Sequence, residues 1–503
     1  MTIESIKQLV CPNIQKLKPY ICARYKYNEG ILLDANENPY GKYNRYPDPY
    51  SKEIKRELSD FLGLKYQNIF IGNGSDEAID LLIRAFCEPF KDEIIILEPT
   101  YGMYEVVAKI NNISCNYVNL GSDFQIDLPK TLKAINKNTK IMFLCSPNNP
   151  TGNCLSDKDI LSICDSFKGI VVVDEAYIEF AEKKSLKNKM QLYSNLIILR
   201  TLSKSWGAAG IRLGYALADE FIIQTLNKIK APYNINKLSQ KYAVKILKNF
   251  SKIQKQIQII VNERKRLSKR LSKMGIKVFP SQANFLLFKI PQASEIKSRL
   301  AKKGIIVRNR SDLPSLENCL RISIGKRNEN NQFLKCLKQC LNKTAFIDRD
   351  GVILFEPQDD YQIDSIEKYR ILPGVFSGLK KLIQNGYKLV LISNQDGLGT
   401  SSFKVKDFQI VQNKMLLDLK KEGIEFDKIF ICPHFLEDKC NCRKPKIGLI
   451  EEYRQQEFIN YEESIMIGDR KSDLEFAKNI GIRAYKAKTN SDSLEQIINK
   501  LIP

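Results

Sequence analysis

The sequence predicts an α/β chain built as successive domains, each on a largely parallel sheet with helices packed against it. Short, continuous apolar runs of strand length alternate with amphipathic stretches of helical period, as buried strands joined by crossover helices do. The alternation ends near residue 341 and restarts at residue 344. A length of 503 residues also exceeds what one ordinary hydrophobic core accommodates.

In chain order, residues 68–71, 94–97, 141–145, 170–174 and 196–200 read as strands. Gly72-Asn73-Gly74-Ser75-Asp76-Glu77 after the first signals a turn and a helix start, with Ser75 near the N-cap. A long amphipathic helix, interrupted along its length, runs from about Leu238 to Met274. Strands at 284–288, 305–308 and 320–324 precede a helix over 328–341. Strands at 344–347, 388–393, 428–432 and 464–468 then build a further domain almost without a linker. The domains are therefore placed at 1–343 and 344–503.

Apolar residues (43%) and charged residues (27%) stand in the proportions of a soluble globular protein. No apolar run is long enough to span a bilayer. The first ten residues have neither a basic nor an apolar signal region, so export is not expected. Of 13 cysteines, several sit singly in apolar runs (Cys87, Cys145, Cys164), as buried thiols do. A reduced, cytoplasmic setting follows. The net charge of +22 comes from residues 1–343, with 55 Lys and Arg against 32 Asp and Glu; residues 344–503 have 24 against 25. No nucleic-acid recognition motif accompanies that excess, which solvated helix faces account for, so neither nucleic acid nor membrane is expected as a partner.

The chemistry lies at strand ends. The helix start at Ser75 and Asp76 offers free N–H groups to a phosphate. Asn149 follows one strand within Ser146-Pro147-Asn148-Asn149-Pro150, and Asp174 ends another, followed by Tyr177. A carboxylate there suits a cofactor whose ring nitrogen must stay protonated. Thr201-Leu202-Ser203-Lys204 ends a fourth strand. Lys204 must lose its proton to form an imine, and a cation such as Arg212 favours that loss.

With Ala35-Asn36-Glu37-Asn38-Pro39, Arg45-Tyr46-Pro47, Pro99-Thr100-Tyr101-Gly102 and Asn284-Phe285, residues 10–341 resemble the fold-type I aminotransferases, and among them the histidinol-phosphate aminotransferases. The resemblance implies a large mixed-sheet domain with a small α/β domain, a homodimer, and pyridoxal 5′-phosphate bound through Lys204. It implies that Asp174 meets the pyridine nitrogen, Asn149 and Tyr177 the ring oxygen, and Tyr101 the ring face. Ser75, Asp76, Thr201, Ser203 and Arg212 would hold the phosphate, with Tyr46 reaching it from a second subunit. Arg308 and Arg321 would take the substrates' anionic ends, and Tyr20 would line the imidazole pocket.

In the second half, Asp348 and Asp350 flank Arg349 at a strand end, and alternate residues of an extended segment share a face. Asp348 can attack phosphorus while Asp350 protonates the leaving alkoxide. Asp348, Asp350 and Asp469, with Asp473 nearby, offer hard oxygen ligands suited to Mg²⁺. Ser393 and Asn394 can donate to phosphate oxygens, and Lys444 adds positive charge. Cys432, His434, Cys440 and Cys442 supply three thiols and the only histidine of the chain, a donor set for closed, structural Zn²⁺. Cys442 lies two residues before Lys444, so a zinc knot would position that lysine.

These four ordered elements resemble the haloacid dehalogenase-type phosphatases, which have a Rossmann-like domain. The zinc segment and Ser393-Asn394-Gln395-Asp396-Gly397-Leu398-Gly399-Thr400 bring residues 344–485 near the histidinol-phosphatases. Together the resemblances imply two consecutive steps of histidine biosynthesis. Imidazole acetol phosphate and glutamate give histidinol phosphate, which is then hydrolysed. An aromatic-type aminotransferase fused to a heptose bisphosphate-type phosphatase is the enzymatic alternative. A basic binding protein on a degenerate scaffold is the other, and intact Lys204, Asp348, Asp350 and Asp469 speak against it.

Overall fold

The computed structural model describes residues 2–25, 29–491 and 493–502. It divides into two compact units, Met1–Ser268 with Val278–Lys289 and Val307–Asn330, and Lys269–Lys277 with Ile290–Ile306 and Asn331–Pro503.

The first unit is built on β1 (Ile69–Gly72), β2 (Glu93–Glu98), β3 (Ser114–Asn119), β4 (Thr139–Cys145), β5 (Ile170–Asp174), β6 (Leu196–Thr201) and β7 (Gly214–Leu217). The strand order is β1-β7-β6-β5-β4-β2-β3. β7 runs antiparallel to both neighbours and the remaining pairs are parallel, which makes the sheet mixed. Val171 and Val173 enter the hydrophobic layer on one face, Ile170 and Val172 the layer on the other. A strand buried on both faces needs apolar residues throughout, hence the continuous runs. Each such side chain contributes about 1.5–3 kcal/mol on burial.

A smaller sheet is formed by β8 (Lys277–Val278), β9 (Phe285–Lys289), β10 (Arg308–Asn309) and β11 (Cys319–Ser323), in the order β10-β11-β9-β8. The strand expected at 305–308 is shifted: only Arg308 and Asn309 pair, opposite Arg321 and Leu320. The long helix is two, Lys237–Leu247 and Phe250–Lys273. Asn236 caps the first by accepting from the Ser239 amide at 2.9 Å.

The second unit holds β12 (Lys343–Ile347), β13 (Tyr387–Asn394), β14 (Lys428–Cys432), β15 (Ile465–Gly468) and β16 (Arg483–Lys486). They form a fully parallel sheet in the order β14-β13-β12-β15-β16. β12 is central, so its carboxyl end opens between the ends of β13 and β15, where ligands of open parallel sheets bind. Among the described residues no helix is long and apolar enough to cross a membrane.

Candidate active sites

In the first unit, a cleft of roughly 500 Å³ opens beyond β4, β5 and β6. Helix Ser75–Phe86 points its first turn at it, leaving amide N–H groups without intrahelical acceptors. β7 approaches that turn so closely that a Cβ on Gly214 would lie 2.2 Å from the Ser75 nitrogen, which only glycine permits. Arg212 sits at a left-handed backbone position (φ 50°) and sends Nη2 to 3.3 Å from Asp76 Oδ2. The hydroxyl of Ser203 is buried without a hydrogen-bond partner, while the Ser203 amide donates to Thr201 Oγ1 at 3.1 Å. A cation, a free hydroxyl and a helix start together suit a phosphate.

Deeper in, Asp174 is 3% exposed and forms no ion pair among the described residues. Oδ2 accepts from the Tyr104 hydroxyl at 2.8 Å and Oδ1 from the Ala176 amide at 3.0 Å. Burial pushes its carboxyl up to about 6, against the pull of these donors. A buried carboxylate lacking a countercharge fits a protonated ring nitrogen. Lys204 Nζ lies 5.5 Å from the Tyr177 ring centroid. Burial first, then Arg321, lowers its proton affinity. Arg212, the cation expected to help, also lowers it, though less than Arg321 does. Asn149 donates to the Tyr177 hydroxyl at 3.5 Å and accepts from Arg321 through Oδ1.

The cleft thus gathers Ser75, Asp76, Tyr101, Asn149, Asp174, Tyr177, Thr201, Ser203, Lys204 and Arg212. Other expected residues stand outside its lining. Arg308 is exposed, beside Arg321 in register. Tyr46 is 50% exposed and stacked on Tyr233, and Tyr20 is 72% exposed. Nothing in the sequence singles out Tyr104: an aromatic on helix Met103–Ile110 reads as core, and only its hydrogen bond to Asp174 gives it a role.

In the second unit, Asp348, Asp350, Ser393, Asn394 and Lys444 border a cleft of roughly 800 Å³. Carboxylate oxygens of Asp348, Asp469 and Asp473 lie within 4.8 Å of one another. Lys444 Nζ reaches Asp348 Oδ2 at 3.0 Å and Asp473 Oδ1 at 2.6 Å. Burial alone would lower its proton affinity, but these two carboxylates hold it above the ordinary value. Burial raises Asp348 strongly, helped by Asp473 and opposed by Lys444. Asp469 Oδ2 accepts from Thr489 at 2.7 Å, whereas its buried Oδ1 has no hydrogen-bond partner. Three crowded carboxylates, one with an orphaned oxygen, fit a hard divalent cation.

Asp350, expected among the ligands of that cation, has its side chain outside this cluster. Its oxygens accept from Arg349 Nε at 2.8 Å and Gln395 Nε2 at 2.6 Å. Asn394, expected on the substrate, is turned to the backbone of Lys444, accepting from its amide at 3.0 Å and donating to its carbonyl at 3.2 Å. Ser393 Oγ accepts from Gln395 at 2.8 Å. Gly351 (φ 74°) lets the loop pass Asp469, since a Cβ would stand 2.5 Å from Oδ2.

Cys432, His434 Nδ1, Cys440 and Cys442 converge with separations of 3.2–3.8 Å. Tetrahedral zinc with Zn–S near 2.3 Å places its sulfurs about 3.8 Å apart, so this donor set fits a closed zinc site.

The first unit has the fold of the fold-type I pyridoxal phosphate aminotransferases, and a phosphatase-type α/β domain follows it. Residues 21–337 match the family Aminotransferase class I and II, and residues 343–489 match Polynucleotide kinase 3 phosphatase. The chain belongs to the class I and II aminotransferases. It is 48% identical over 341 residues to histidinol-phosphate aminotransferase of Parabacteroides distasonis, covering 67% of this chain and 99% of the relative. The Flavobacterium johnsoniae enzyme of that name is 48% identical over 346 residues, with the same two shares. Among solved structures, histidinol-phosphate aminotransferase from Clostridium acetobutylicum superposes with a TM-score of 0.55 at 28% identity, over 59% of this chain and 90% of that one. The Sinorhizobium meliloti enzyme in complex with pyridoxal-5′-phosphate, at 24% identity and a TM-score of 0.55, covers 59% of this chain and 82% of its own and shares the fold. Pyridoxal phosphate is the cofactor of this family, and the first cleft fits it.

Proposed function

We propose that this chain is a bifunctional enzyme of histidine biosynthesis, with an aminotransferase over residues 1–343 and a histidinol-phosphatase over 344–503. The first part converts imidazole acetol phosphate and glutamate to histidinol phosphate and 2-oxoglutarate; the second hydrolyses histidinol phosphate to histidinol and phosphate. The observation that carries this reading is the pairing on one chain of a region 48% identical to histidinol-phosphate aminotransferases with a carboxylate–lysine phosphatase cleft. The amino product of the first reaction is the monoester consumed by the second.

In the first cleft, pyridoxal phosphate when bound supplies an electron sink for charge developing at the substrate's Cα. Lys204 Nζ attaches it and then carries the proton from Cα, a task helped by its lowered proton affinity. Asp174 holds the proton of the ring nitrogen, steadied by Tyr104. Asn149 and Tyr177 would hold the ring oxygen, Tyr101 would face the ring, and Ser75, Asp76, Thr201, Ser203 and Arg212 would hold the phosphate. Tyr46 completes that phosphate site from the second subunit of a homodimer. Arg321, with Arg308, receives the anionic ends of the substrates by bidentate pairing, and Tyr20 borders the imidazole.

In the second cleft, Asp348 attacks phosphorus as Asp350 passes its proton to the departing alcohol. Asp350 then takes a proton from water, whose oxygen displaces Asp348 and frees phosphate. Mg²⁺ would be held by Asp348 and Asp469 beside Asp473, and would offset the negative charge gathered there. Lys444 balances charge on the transferring group, and Ser393 donates to it. Cys432, His434, Cys440 and Cys442 would hold a structural Zn²⁺ that would fix the segment leading to Lys444. The setting is cytoplasmic.

Specificity constants decide between this and the alternative pairing. Imidazole acetol phosphate should exceed phenylpyruvate as amino acceptor, and histidinol phosphate should exceed a heptose bisphosphate as ester. The reverse order on both would establish the aromatic and sugar-phosphate pairing.

A further inference from the structure

Arg349 lies between the two aspartates of the phosphatase cleft yet does not border it. Its side chain is fully buried, its guanidinium stacked 4.6 Å from the Phe408 ring centroid. Among the described residues Asp350 is its one ionic partner, through Nε at 2.8 Å. Nη1 and Nη2 are buried without hydrogen-bond partners. Keeping a cation at such a place costs free energy that an apolar side chain of similar volume would avoid.

Gln395, only 4% exposed, grips the opposite oxygen of the same carboxyl, with Nε2 2.6 Å from Asp350 Oδ2. It is itself held against Ser393 Oγ at 2.8 Å. One donor on each oxygen fixes the plane of the carboxyl and leaves the second lone-pair direction of each oxygen open. A proton carried in either open direction is held in that fixed plane.

We propose that Arg349 and Gln395 are a two-sided clamp of positioning residues that aims the Asp350 carboxyl at the leaving oxygen of a phosphate monoester of an alkyl alcohol. This rests on the phosphatase reading above and deepens it. In the step concerned the P–O bond to the alcohol breaks, the new bond is Asp348 O–P, and the Asp350 proton ends on the alkoxide. An alkoxide is a poor leaving group and needs that proton as the bond breaks; nitrophenolate leaves without it. The clamp therefore matters for alkyl esters and little for activated aryl esters.

The experiment compares kcat/KM for histidinol phosphate and p-nitrophenyl phosphate in the full chain with Mg²⁺, for wild type, Gln395→Met, Arg349→Met and Asp350→Asn. This parameter reports steps only through transfer to Asp348. In either clamp variant, the ratio of alkyl to aryl kcat/KM should fall about 100-fold, the low end of a general acid's contribution. Adding Gln395→Met to Asp350→Asn should change the ratio no further. Equal loss on both esters in folded Gln395→Met, the milder substitution, would overturn the clamp while leaving the phosphatase intact. A wild type that hydrolyses neither ester would overturn both.

Discussion

At the scale of single residues, Asp174 links burial to chemistry most directly. Folded, it keeps its proton to about pH 6, whereas its ordinary value is 3.8. The native state therefore binds more protons than the unfolded chain between these values, and stability falls as pH rises through that window. In the cofactor-free protein the loss approaches about 3 kcal/mol by neutral pH. Urea unfolding of the apoprotein between pH 4 and 7 should show Asp174→Asn equal to wild type at the acid end and more stable at the neutral end. Parallel curves would mean that Asp174 is not desolvated. Lys204→Ala should abolish transamination and spare phosphate release from histidinol phosphate; Asp348→Asn should do the reverse. Loss of both activities in either well-folded variant would contradict independent sites.

At the scale of elements, the turn between β1 and helix Ser75–Phe86 depends on the close passage of β7. Gly214→Ala should displace that turn, weakening pyridoxal phosphate binding more than tenfold and destabilising the fold by about 1–3 kcal/mol. Spectrophotometric cofactor titration and thermal melts measure the two effects, and unchanged cofactor affinity would show that the turn is not part of the phosphate site. The zinc-type loop makes a second case. Chelation with verified zinc loss should lower phosphatase activity about 10–100-fold, restored by Zn²⁺, while transamination stays intact. Full phosphatase activity without zinc would disconnect the loop from Lys444.

What could be read from the sequence follows from burial at this scale. β4, β5 and β6 announce themselves because both faces are covered. β3 and β16 lie at sheet edges and carry Cys115-Asn116-Tyr117 and Arg483-Ala484-Tyr485-Lys486; half-exposed strands need no apolar run. Motif residues at strand ends could be found because turn and helix-start signals mark them. The roles of Tyr104 and Gln395 could not, since Asp174 and Asp350 reach them across the sheet rather than by spacing along the chain; that of Arg349 could not, because its burial against Phe408 is tertiary. The same cause moved Asn394 from the expected substrate to the backbone of Lys444.

At the scale of the molecule, an aminotransferase region and a phosphatase-type domain share one polypeptide, and the proposed reading makes their reactions consecutive. Tethering two sites raises the effective concentration of a shared intermediate only when the linkage lets it reach the second site. The basic balance of residues 1–343 favours anionic phosphorylated substrates over neutral ones. The most direct test is phosphate release from the purified full chain given imidazole acetol phosphate, pyridoxal phosphate and Mg²⁺, with and without glutamate. Release that depends on glutamate, with histidinol formed in equal amount, is the predicted result. Accumulation of histidinol phosphate without phosphate release would contradict it.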